Sequence, residues 1–78
     1  MDDLIINAKK ILTLFEEYGG SSKSLSDLEI GALADYIITE GINYNTIPDT
    51  LKFNTKLATQ CKQRGLILPD IVMYYCFN

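Results

Sequence analysis

The sequence predicts an all-α fold: a small bundle of three main helices, at about 3–18, 27–40 and 50–64, followed by a short C-terminal helix or strand at about 69–76. Three observations lead there. Apolar residues recur at three- and four-residue spacing through the first three segments. Residue types that start and stop helices bound those segments. A chain of 78 residues with a 47% hydrophobic fraction holds one core and one domain, spanning 1–78.

The first segment, "DLIINAKKILTLFEEY", places Leu4, Ala8, Ile11, Leu12, Phe15 and Tyr18 on one stripe. Asp2 and Asp3 stand where the helix dipole favours negative charge. Gly19-Gly20 ends the helix, and "GGSSKS" is a flexible connector. The second segment carries the clearest punctuation. Ser26 and Glu29 fit a capping box, with Leu25 and Ile30 in the two positions of a hydrophobic staple. Its buried stripe is Ile30, Leu33, Ala34 and Ile37. Gly41 is the left-handed cap, with Ile42 folding back on Ile37.

"INYNTIPD" is a loop, rich in asparagine and closed by Pro48. Asp49 or Thr50 caps the third helix, whose apolar residues are Leu51, Phe53, Leu57, Ala58 and Cys61. Gly65 ends it and lets Leu66 pack back on Cys61. The tail "LILPDIVMYYCFN" pulls two ways. Pro69 and Asp70 suit the start of a short helix, whereas Ile71, Val72, Tyr74, Tyr75 and Phe77 are strand-favouring types. The short helix is preferred. Because the tail is apolar on every side, it is expected to be covered on every side and to fill the core.

Composition excludes several kinds of chemistry. There is no histidine, so histidine general-base catalysis and histidine metal ligation are absent. Cys61 and Cys76 have no CxxC spacing and lie among apolar residues, where a thiol is a small hydrophobe. "YGGSS" lacks the lysine that follows in a phosphate-binding loop. "LSDLEIGALADYI" is similar to the last helix of c-type cytochromes, but the haem-attachment CxxCH is missing. The expectation is therefore a non-enzymatic protein with no metal and no cofactor. "MDD" begins without a basic and then apolar leader, and the apolar run 66–77 is interrupted and too short to span a bilayer. A cytoplasmic protein that does not enter membranes is expected.

Charge divides the chain. Residues 1–40 hold eight acids and three bases, a balance of −5, and residues 41–78 hold two acids and four bases, a balance of +2. Two candidate surfaces follow. The acidic half offers a protein-partner patch of Glu16, Glu17, Asp35, Tyr36, Glu40 and Tyr44, with both tyrosines expected to be exposed. The helix at 50–64 offers a nucleic-acid face of Lys52, Thr55, Lys56, Thr59, Lys62, Gln63 and Arg64, types that contact phosphates and base edges. Its ending, "CKQRGLI", looks like the end of a winged-helix recognition helix, which implies that the tail is a shortened wing. The same polar face is also what a bundle presents to water. The leading expectation is a small acidic regulator or inhibitor that docks on a macromolecular partner, a protein before a nucleic acid. The alternatives are a winged-helix-like nucleic-acid binder and a homodimeric module joined through the apolar tail.

Overall fold

Five helices follow one another along the chain: α1 (Asp2–Tyr18), α2 (Asp27–Thr39), α3 (Asp49–Lys52), α4 (Thr55–Gln63) and α5 (Asp70–Phe77). Single 3₁₀ turns at Ser22–Ser24 and Tyr44–Thr46 lie in the two longest connections. The computed structural model describes the backbone from Asp2 onward and side chains from Asp3 onward, so the dipole role expected of Asp2 lies outside the described residues. Every regular element among the described residues is helical, and the fold is a small helical bundle.

α2 is the hub. It packs on α1 along one side and on α4 along the other, while α3 and α5 pack against α4. Its start is built as the sequence implies. The Ser26 hydroxyl accepts from the Glu29 amide at 3.2 Å, and the Glu29 carboxylate accepts from the Ser26 amide at 3.1 Å. Two free N–H groups at the helix start are satisfied by this exchange. Ile30 is buried and Leu25 packs against the core, as a staple requires. At its end Gly41 adopts φ +66°, and the Ile42 amide donates to the Ile37 carbonyl at 2.9 Å. Gly65 repeats this arrangement after α4, with φ +92° and the Leu66 amide on the Cys61 carbonyl at 3.0 Å. A side chain in either left-handed position would be strained by about 1–2 kcal/mol.

The core runs through all five helices. It contains Ala8, Leu12 and Phe15 of α1, Ile30, Leu33, Ala34 and Ile37 of α2, Leu51 of α3, Leu57, Ala58 and Cys61 of α4, and Val72 of α5. Two expected members of the α1 stripe fall short of it: Leu4 is at its exposed margin and Tyr18 is 76% exposed. A straight helix turns its ends away from a neighbour that crosses it, so the central residues of the stripe do the packing.

Three expectations are corrected. The single helix over 50–64 is two helices. The chain breaks at Phe53-Asn54, and Asn54 caps α4 by accepting the Leu57 amide on its side-chain oxygen at 3.0 Å. The side chains named as caps of the first piece are not used. Pro48 precedes it, with no side-chain cap, and Asp49 is already in its first turn. The tail is a helix over 70–77, so there is no wing strand, and it is not covered on every side. Only Leu68 and Val72 of the tail are buried, with Met73 and Cys76 half-buried against the core. Eight residues make just over two turns, and one stripe of such a helix is all that one neighbour covers.

Candidate docking surface

The expected nucleic-acid face is taken apart by the break. Lys52 belongs to α3, and Thr55, Lys56, Thr59, Lys62 and Gln63 belong to α4, with Arg64 as its cap. The bases are also engaged within the molecule. Lys52 pairs with Asp49 at 3.2 Å and lies by the Phe53 ring, its side chain mostly covered. Lys56 pairs with Asp27 at 2.8 Å, and this contact holds the Asp27 carboxyl below its ordinary pKa. Lys62 sits over the Phe77 ring, 5.1 Å from its centre. Arg64 donates through Nε to Asp35 at 2.5 Å and through Nη1 to the side chain of Gln60. Of the neutral members, Thr59 donates its hydroxyl to the Thr55 carbonyl, and Gln63 is exposed.

The pairs Asp27–Lys56 and Asp35–Arg64 lie eight residues apart on both helices. The equal offset sets α2 and α4 side by side, running in the same direction. Both pairs are open to solvent, which screens them, so they add little to stability. Their larger effect is on the surface field, since three bases of the C-terminal half are cancelled by neighbouring acids. Between α1, α2 and α4 runs a groove of about 460 Å³, and the Asp35, Gln60 and Arg64 groups that line it are bonded to one another.

The expected acidic patch is also redistributed. Asp35 is neutralised by Arg64. Tyr36 is half-buried against the core. Tyr44, expected to be exposed, is 3% exposed. Its ring belongs to the core, and its hydroxyl donates to the Lys52 carbonyl at 2.9 Å, satisfying an acceptor at the end of α3. Glu16 and Glu17 on the last turn of α1, and Glu40 at the end of α2, remain exposed. Among the described residues no hydrogen bond or ion pair links these three to one another or to Asp35.

The surface that the sequence did not single out residue by residue is the outer side of α5. Ile67 is 93% exposed, Ile71 53%, Tyr74 62% and Tyr75 64%, and Phe77 is partly open beside them. Ile71, Tyr74 and Tyr75 share one side of α5 at helical spacing, and Ile67 lies in the connection that precedes it. Tyr75 stacks edgewise on Tyr74 and at a tilt on Phe53, so the aromatic members are held in place. The signal was present as the all-round apolarity of the tail. α1 also exposes Ile6 and Leu14, but Lys9, Lys10 and Thr13 stand between them. The α5 stripe has no charge along its centre.

Burial makes both thiols weaker acids than a free cysteine. Burial pushes the Cys61 thiol up to about 11 and raises Cys76 as well. Both are free cysteines, and Cys76 Sγ points at the Lys52 carbonyl at 4.0 Å. No cluster of three metal-ligating side chains occurs among the described residues, and no described helix is long and apolar enough to cross a membrane. Compared with known proteins, the chain matches no family model, no curated protein and no solved structure.

Proposed function

We propose that this chain is a non-enzymatic protein-docking module, of the regulator or inhibitor kind, whose docking face is the outer side of α5. The observation that carries the reading is the open stripe of Ile67, Ile71, Tyr74 and Tyr75. Aromatic residues with rigid, amphipathic side chains dominate the energetics of protein contacts. An exposed stripe of this kind is costly in water unless something covers it. Glu16, Glu17 and Glu40, exposed and without an ion pair among the described residues, add a negative field, which speeds encounter with a basic surface more than it tightens the complex. Raised thiol pKa values fit a protein without a cysteine nucleophile. The internal pairing of Lys52, Lys56 and Arg64 favours a protein partner over a nucleic acid.

The test is a pair of binding assays. In the first, anisotropy follows random duplex and single-stranded nucleic acid as salt is lowered; the reading predicts no saturable binding. Affinity that rises steeply at low salt, and vanishes with Lys52→Glu and Lys56→Glu, would transfer the function to α3 and α4. In the second, tagged protein captures its partner from a lysate of its source. Capture is expected to be lost with Ile71→Glu, and its rate to fall several-fold with Glu16→Lys plus Glu17→Lys. Capture indifferent to Ile71→Glu would remove α5 from the account.

A further inference from the structure

Taking α5 as a docking face, we infer that its occupant is a second copy of this chain, paired with α5 antiparallel to α5 across a two-fold axis. Two features of the stripe point to a copy of itself. The first is area. The open parts of Ile67, Ile71, Tyr74, Tyr75 and Phe77 come to about 600 Å² on one chain, taking about 200 Å² for a large side chain. With all of it covered, doubling across a symmetric pair gives at most about 1,200 Å², which reaches the lower bound of stable, specific interfaces. The stripe is thus large enough to hold a dimer, and a two-fold contact uses the same patch twice.

The second feature is charge. Ile71 and Tyr74 lie at the centre of the stripe, and Val72 points the opposite way into the core. Asp70 and Phe77 are seven residues apart, so they share one edge of α5, about 10 Å from end to end. Lys62 rests over Phe77 and therefore brings its ammonium to that same edge, at the opposite end from Asp70. A two-fold axis crossing the helix at its middle reverses its direction and keeps each edge facing its own counterpart. Asp70 of one copy then lies against Lys62 of the other, and the pair occurs twice. A parallel pairing instead places Asp70 toward the Tyr75 edge, where Lys52, beside Phe53, is already paired with Asp49. The chain carries a net charge of −3, which opposes self-association at long range. Two Asp70–Lys62 contacts at the rim offset this locally and select the antiparallel register. Helix dipoles also favour antiparallel neighbours.

Sedimentation velocity across a concentration series tests the inference, with far-ultraviolet circular dichroism confirming that each variant is folded. The wild-type chain is expected to pass from monomer to dimer with rising concentration. Ile71→Glu is expected to weaken the dimer at least a hundredfold. Asp70→Lys or Lys62→Asp alone is expected to weaken it about tenfold, by placing like charges together. The double swap, Asp70→Lys with Lys62→Asp, is expected to recover most of that loss. A chain that stays monomeric at every concentration, a dimer indifferent to Ile71→Glu, or a double swap no better than its parents would each overturn the proposal. The docking reading itself is judged separately. If the chain is monomeric yet Ile71→Glu abolishes capture of a different protein, the self-partner fails and the docking face stands. If Ile71→Glu changes neither, both fall.

Discussion

Tyr44 and Lys52 show how single atoms decide what the surface offers. The Lys52 carbonyl sits at the end of a four-residue helix, where intrahelical donors run out. The Tyr44 hydroxyl fills that need, which draws the ring into the core and removes it from any partner surface. Tyr44→Phe should cost about 1 kcal/mol in urea unfolding, the usual net value of one hydrogen bond, with the ring's burial retained. The same burial makes stability fall in alkali. Burial raises the Tyr44 hydroxyl above its ordinary value, and it holds the Cys61 thiol at about 11 against an ordinary 9. Unfolded, both groups release protons earlier, so above about pH 9 the unfolded state binds fewer protons than the folded one. Melting temperature is expected to be flat up to about pH 8 and to decline as pH rises toward 11. A melt unchanged over that range would contradict the assigned burial.

At the level of elements, local punctuation was readable and tertiary partnership was not. Ser26, Glu29, Gly41 and Gly65 act over three to five residues, and each does what its position implies. The break at Phe53-Asn54 was hidden because Leu51, Phe53, Leu57, Ala58 and Cys61 keep a nearly helical rhythm across it. Its one local sign is an asparagine three residues before Leu57, the spacing of an N-terminal cap. Asn54→Ala should therefore destabilise the fold by about 1 kcal/mol, a larger effect than alanine has inside a continuous helix, where it would be neutral or favourable. Chemical denaturation of that variant checks whether the break is held by its cap. The tail was ambiguous because its β-branched and aromatic residues carry no helix preference, and packing on α4 decided it. The pairs Asp27–Lys56 and Asp35–Arg64 span 29 residues each, a distance at which no spacing rule operates.

Across the whole molecule, the division of charge in the sequence disappears where α2 meets α4. Outward there remain the acids Glu16, Glu17 and Glu40, the bases Lys9, Lys10 and Lys23, and an apolar, aromatic stripe on α5. The acidic half was legible as composition, but Asp35 and Tyr44 turn to internal partners and leave the patch expected of it. The α5 stripe was legible as excess apolarity in the tail. Which side would stay open depends on α4 covering Val72 and leaving Tyr74, a choice made only by the assembled fold.

Site-specific photo-cross-linking measures this claim most directly. A benzophenone side chain placed at Tyr74, on the centre of the stripe, is compared in the cells of the protein's source with one at Lys23, on the connector between α1 and α2. A discrete covalent adduct to protein, formed from position 74 and absent from position 23, is the predicted result, and its mass tells a second copy from a different partner. Equal yields at the two positions, or an adduct from position 23 alone, would contradict the assignment of α5 as the docking face.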